Sequence, residues 1–165
     1  MLDALPSLLP QLRRYARALT SAREDADDLV QDTVERALKA RHQFRAGGNL
    51  RAWMFSIMHN ANVNTRRSGR DHVSLDTEDA PVIAIPETQS ARLTGRDLQA
   101  ALAALPVEQR EVLLLVTLED MRYEEVANTL GIPIGTVTSR LARARERVRL
   151  FMDGVPFVEK LKAVK

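Results

Sequence analysis

Outside its middle, this chain repeats apolar residues at three- and four-residue steps, the signature of amphipathic helices. Leu8, Leu12, Tyr15, Ala16 and Leu19 define a first helix that stops at Thr20-Ser21. A second begins near Asp25 and carries Leu29, Val30, Val34, Ala37 and Leu38 to about His42. Gly47-Gly48 breaks the pattern, and Asn49 is placed to cap a third helix. That helix sets Leu50, Trp53, Met54, Ile57 and Ala61 on one face and ends at Arg66-Arg67. Trp53 on this stripe reads as core.

Residues 68–93 lose the periodicity and gain Gly69, Pro81, Pro86 and scattered acids, the composition of a linker. Within it, Val82-Ile83-Ala84-Ile85 can dock as an extended piece. Helicity returns at Thr94, a candidate N-cap with Asp97 at N3, followed by Leu98, Ala101, Leu102 and Leu105. Pro106 suits the first turn of a helix over about 107–118. Residues 123–130 make a short helix, Gly131-Ile132-Pro133 a turn, and a long helix follows. No strand pattern or internal repeat is present. The expectation is an all-α protein of two small helical domains, 1–67 and 94–152. A flexible acidic linker, 68–93, joins them, and a tail, 153–165, can pack on the last helix or offer a small docking site.

The last helix is sorted around its axis. At 100° per residue Val137, Leu141, Ala144 and Val148 fall within about 60°, a narrow packing stripe. Thr136, Arg140, Arg143 and Arg147 cluster on another face, with Ser139 at its edge, while Arg145 and Arg149 point elsewhere. Val126, Ala127, Leu130 and Ile132 are placed to pack under the stripe. Helix, short Gly-containing turn and second helix make the helix-turn-helix pattern, whose second helix enters the DNA major groove. Arg pairs bidentately with guanine and also neutralises phosphate, and small Thr and Ser side chains allow close approach to the backbone.

Composition narrows the alternatives. The chain has 165 residues, of which 45% are hydrophobic but only 4% aromatic, so the cores rest on Leu, Val, Ile and Ala. Without cysteine there is no disulfide, Cys–zinc site or thiol nucleophile. His42, His59 and His72 have no metal-ligand spacing, and no nucleophile–base set or phosphate loop occurs, so an enzyme is disfavoured and no cofactor is expected. No membrane-length apolar run or signal peptide is seen, which makes a cytoplasmic protein the expectation. The net charge of +2 hides a pattern: residues 1–70 hold 12 Lys/Arg against seven acids, 71–93 one against five, and 94–165 eleven against ten. Five of those eleven lie between positions 140 and 149.

These features converge on a family. LPVEQREVLLLVTLEDMRYEEVANTLGIPIGTVTSRLARARERVR (105–149) resembles region 4 of bacterial extracytoplasmic-function (ECF) sigma factors. The matches include Gln109-Arg110-Glu111, Tyr123-Glu124-Glu125-Val126-Ala127 and Gly135-Thr136-Val137. DADDLVQDTVERAL (25–38) resembles region 2.2, and FRAGGNLRAWMFSIMHNANVNTRR (44–67) regions 2.3 to 2.4. The resemblance implies a sigma region 2 bundle and a sigma region 4 helix-turn-helix, and a subunit that directs core RNA polymerase to promoters. It further implies control by an anti-sigma factor.

By that resemblance Thr136, Thr138, Ser139, Arg140, Arg143 and Arg147 read the −35 element as duplex. Phe44, Arg45, Gly48 and Asn49, with Asn60, Asn64, Arg66 and Arg67, hold the −10 element as a single strand. Stacking, base-edge hydrogen bonds and phosphate contacts suit those residue types, and the glycines allow close approach to a ligand. Asp25, Asp28, Leu29, Asp32 and Glu35 form an acidic face with an apolar centre, assigned to the clamp helices of the β′ subunit, while region 4 meets the β flap. Lacking His or a Gly-turn loop, this acidic set reads as a protein-binding face and not as a metal site. The linker, up to roughly 85–95 Å when extended, spans promoter elements about two DNA turns apart. Its negative charge either imitates nucleic acid in a basic polymerase channel or simply solvates a spacer. Two other readings stay open: a helix-turn-helix factor that acts without polymerase, and a sigma-like decoy that sequesters an anti-sigma protein.

Overall fold

The computed structural model of the chain describes residues 4–72 and 95–155. The Thr94 cap, residues 73–93 of the expected linker with the 82–85 piece, and the tail beyond Val155 lie outside the described residues. Seven α-helices appear among those described, with no strand: α1 Leu5–Leu19, α2 Arg23–Lys39, α3 Leu50–His72, α4 Gly95–Ala103, α5 Val107–Thr117, α6 Tyr123–Leu130 and α7 Ile134–Met152. A short 3-10 turn, Arg41–Gln43, follows α2. No helix among the described residues is long and apolar enough to cross a membrane.

Periodicity placed these helices well, with instructive departures. The α1 stripe is buried at Leu12, Tyr15, Ala16 and Leu19 as expected. α2 starts two residues before Asp25, and Leu38 in its last turn is exposed. Pro106 is the residue before α5 and not within its first turn. Leu98 is exposed, because only the C-terminal half of α4, through Ala101 and the following Leu105, reaches the core.

α3 departs most. It continues five residues past Arg67, to His72. Its buried side is Met54, Phe55, Met58, Ala61 and Asn62, while Trp53 and Ile57 are only half-buried. That stripe is turned by about 90° from the expected one. The reason is a second partner: α3 packs on α2 and also on α6 of the C-terminal block.

The two blocks therefore share one contiguous apolar cluster, with α1 against α4 and α5 and α3 against α6. At its centre lies α5, where every residue from Gln109 to Leu115 is buried. An amphipathic helix would leave one face to water; the 109–115 stretch of α5 leaves none, so its polar residues must be satisfied inside the protein.

The N-terminal block supplies their partners. Glu111 accepts hydrogen bonds from Asn62 Nδ2 at 3.3 Å and lies 3.0 Å from His59 Nδ1. Glu119, just past α5, is fully buried and meets Arg14 at 3.0 Å and Arg51 at 3.1 Å. Arg51 also donates to the Glu119 carbonyl and lies 5.8 Å from the Phe55 ring centre. Arg110 donates to the carbonyl of Leu19, where α1 ends, at 2.6 Å, and to those of Ala103 and Leu105, where α4 ends, at 2.8 and 3.0 Å. A cation at two helix C-termini satisfies orphan carbonyls and complements both dipoles. Tyr15 lies edge-on to Phe55 with ring centres 5.0 Å apart. Its burial, with Glu111 and Glu119 adding to it, pushes the phenol well above its ordinary pKa and keeps it neutral.

Glu119→Ala leaves two arginines facing an emptied polar site. It should lower the unfolding free energy by about 1–3 kcal/mol in urea titration.

Candidate nucleic-acid and protein interfaces

α7 carries the first candidate surface. Val137, Leu141 and Ala144 are buried and Val148 half-buried, as the helical wheel required. Burying one such Val or Leu is worth about 1.5–3 kcal/mol, while exposed ion pairs are worth at most about 1. The stripe, and not the arginines, fixes the helix. Beneath it Val126 and Leu130 are buried, and Ala127 and Ile132 half-buried.

On the outer side Thr138, Ser139 and Arg143 are exposed, and Thr136, Arg140 and Arg147 half-exposed. The two hydroxyls bond back to their own helix, Thr138 to the Ile134 carbonyl at 3.1 Å and Ser139 to the Thr136 carbonyl at 3.2 Å. Arg149 is accounted for differently: it pairs with Glu146 at 2.7 Å and Asp153 at 3.2 Å, bracing the helix end. Arg145 is exposed.

The second surface is the 44–49 loop and the solvent side of α3. The Phe44 ring tilts onto Trp53 at 5.2 Å between centres, so this half-buried side chain forms the loop's floor. Gly47 has φ +81, a conformation other residues rarely adopt. A Cβ on Gly48 would come within 3.0 Å of the Arg45 carbonyl oxygen and 3.4 Å of the Phe44 ring. The close approach that the sequence suggested for a ligand is thus used by the loop itself. Asn49 Oδ1 accepts from the Ala52 N–H at 3.0 Å, which makes it the N-cap of α3. Arg45 is exposed beside it, and Asn60, Asn64 and Arg67 are exposed along the helix.

Arg66 behaves differently from its neighbours. It meets Glu108, in the first turn of α5, at 3.4 Å. Glu108 is about half exposed. Its burial opposes ionisation, but its own backbone N–H, the Arg66 guanidinium and the charge of Arg140 outweigh that and hold its carboxyl below the usual range. One carboxylate is therefore shared electrostatically by an arginine of each candidate DNA-reading set.

The third surface is the acidic side of α2. Asp25, Asp28 and Glu35 are exposed, Asp32 is half-exposed, and Leu29 between them is nearly buried. Asp32 pairs with Arg36 at 2.7 Å, and Glu35 with Lys39 at 4.0 Å. Asp25, Asp28 and Asp32 line a groove of about 430 Å³ together with Asn62, Thr65, Arg66 and Arg110. Among the described residues no group of three or more His, Asp or Glu is arranged to hold a metal ion.

The sequence did not single out Arg14, Arg51, His59, Asn62 or Glu119, which join the two blocks. One signal pointed that way: acids at 111 and 119 bracket the apolar run 112–116, a helix hydrophobic all round, where a charge needs a partner.

Comparison with known proteins follows this geometry. Residues 5–59 match the family model described as the Sigma2 domain of PhyR, and residues 95–148 that of Sigma-70, region 4. An ECF RNA polymerase sigma factor, EcfG, from Rhodopseudomonas palustris is 37% identical over 155 residues, covering 92% of this chain and 86% of its own. A solved structure of the sigma factor RpoE with the anti-sigma factor NepR from Bartonella quintana superposes with a TM-score of 0.73 at 35% identity. It covers 92% of this chain and 95% of the RpoE chain. CnrH, solved with the cytosolic domain of CnrY, gives 0.65 at 26% identity over 93% and 90%.

Because Asn49 closes the first turn of α3, Asn49→Ala should cost about 1 kcal/mol of thermal or urea stability without any DNA present. Asn49→Asp, which keeps the cap, should retain most of it.

Proposed function

The chain belongs to the ECF RNA polymerase sigma factors, which are transcription initiation factors and not enzymes, and from that premise we propose how its three surfaces divide the work. α7 reads the −35 element in the major groove. Arg143 and Arg140 make the base-edge contacts, Thr136, Thr138 and Ser139 lie against the backbone, and Arg147 holds phosphate. The 44–49 loop and the Asn60/Asn64/Arg67 side of α3 hold the single-stranded −10 element, with Arg66 joining them on phosphate. The acidic side of α2 binds the β′ clamp helices and the C-terminal block the β flap. The observation that carries this reading is the sorting of α7, where an apolar stripe buried at Val137, Leu141 and Ala144 leaves Thr138, Ser139 and Arg143 outward. A helix held this way can enter a groove without loosening from its domain.

The anti-sigma factor NepR in the RpoE structure supports control of this chain by a protein of that kind. A decoy role, with the chain only titrating such a protein, has in its favour the match to a domain of PhyR, a protein solved elsewhere as an anti-anti-sigma factor bound to NepR. The exposed arginines and asparagines of both DNA sets favour the active sigma factor. Transcription in vitro with core polymerase and a promoter library separates the two readings, since a decoy yields no promoter-specific transcript.

Arg143→Ala should cost about 1–3 kcal/mol of −35 binding and relax preference at one base position. An equal loss on every promoter would reassign it to phosphate. Reversing charge at Asp28 and Asp32 together should weaken assembly with core polymerase about tenfold or more in a pull-down or anisotropy titration. Unchanged assembly would remove α2 from the interface.

A further inference from the structure

The side chains that α7 leaves to solvent are not all polar. Among the described residues four large apolar side chains are exposed, and one of them, Ile134 at 47%, is the first residue of α7. It adds nothing to the core. Ile132, two residues earlier, packs against the shared apolar cluster, whereas Ile134 belongs neither to that cluster nor to the side chains packed on it. A lone exposed isoleucine is ordinary on a protein surface. At the start of a groove-entering helix it is not, because the N-terminal residues of such a helix meet the base edges.

The surroundings of Ile134 leave that approach open. Gly135 follows it, and a Cβ built there would have nothing within 4 Å, so no neighbour in the chain requires the glycine. Glycine weakens a helix relative to alanine, and here its effect is a low surface beside Ile134. Thr138 and Ala142 continue from Ile134 at four-residue steps, both exposed and both short. All three lie about 120° or more around the axis from Thr136, Arg140 and Arg147. The first turn of α7 carries no acid to repel phosphate, although those of α5 and α6 carry Glu108 and Glu124 with Glu125.

Ile134 is also held in place. The Thr138 hydroxyl donates to the Ile134 carbonyl at 3.1 Å, and the Val137 N–H to the Pro133 carbonyl at 3.2 Å, which fixes the first turn. A β-branched side chain in a helix has one strongly preferred χ1, so its methyls point in a set direction with little entropy left to lose. Such a group has one fitting counterpart in the major groove, the C5-methyl of thymine. Pressed onto the polar edge of another base it would cover donors and acceptors and leave them unpaired.

We propose that Ile134 is a specificity-determining residue that reads the C5-methyl of a thymine in the −35 element, while Arg140 and Arg143 take hydrogen-bonding edges. The proposal rests on the −35 reading of α7 above and adds to it a residue and the base it selects.

The test removes one methyl at a time from the DNA. The full chain is assembled with core polymerase, and the holoenzyme selects a −35 element from a promoter library. Each thymine of that element, on either strand, is then replaced singly by uracil, which lacks only the C5-methyl. Wild-type holoenzyme should bind about fourfold more weakly when uracil stands at one position, the effect of one buried methyl, and should be indifferent at the others. Ile134→Ala should bind the all-thymine duplex more weakly by about that factor and no longer distinguish thymine from uracil at that position. On the uracil duplex it should come close to wild type. Ile134→Val, which keeps a branched methyl surface, should retain part of the preference. The pairing of a protein change with a single methyl of the DNA is a double-mutant cycle, so a general loss of affinity cancels and only the contact remains.

Equal binding of thymine and uracil duplexes by the wild type at every position would overturn the proposal and leave the −35 reading standing. A thymine preference that Ile134→Ala retains, or a selected −35 element with no thymine on either strand, would do the same. A holoenzyme that selects no −35 sequence at all would overturn that reading and this proposal with it, before any thymine is replaced.

Discussion

Everything in this fold is arranged around the burial of α5. Seven consecutive residues of that helix are removed from water, among them Gln109, Arg110 and Glu111. A buried charge without a partner costs several kcal/mol, so the surrounding helices are constrained to bring partners. That requirement explains why Asn62 and His59 face α5, why α1 ends where Arg110 can reach its last carbonyl, and why Arg14 and Arg51 converge on Glu119. Apolar packing brings the two blocks together, and these polar groups set their register.

The same constraint gives the candidate surfaces their different characters. α7 is anchored by Val137, Leu141 and Ala144 within its own block, so its outward side chains need not take part in holding the fold. α2 is similar, with its acidic residues outside and Leu29 and Val30 inside. The end of α3 lies at the seam between blocks, and there Arg66 is drawn to Glu108. The phosphate contact proposed for Arg66 and this carboxylate pair call on the same guanidinium. Arginine serves both because its planar guanidinium pairs with either kind of oxyanion.

Family resemblance and physical reading support one another unevenly. The helix-turn-helix was readable from periodicity alone, through the α7 stripe, the Gly131 turn and the α6 residues beneath. The acidic side of α2 was readable as a face, but its partner came only from the resemblance. In the 44–49 loop the structure gives the residues a local duty: Phe44 packs on Trp53, Gly48 makes room for Phe44, and Asn49 caps α3. Those duties shape the loop that presents Arg45 and the exposed edge of α3.

The sequence by itself determined the helices, their order, the sorted face of α7 and the membership of both motif sets, because each depends on residues three or four apart. It misplaced the buried side of α3 by about a quarter turn, kept Leu98 in a core it does not reach, and was silent on Glu119 and its arginines. Those were decided by tertiary structure, for one physical reason. A helical repeat encodes the direction of one apolar face, but it cannot encode a second partner arriving from a block some 50 residues away along the chain, as Glu111 does for Asn62 at a separation of 49. Where burial comes from two sides, which polar groups are enclosed, and which of them find one another, is settled only when the helices meet.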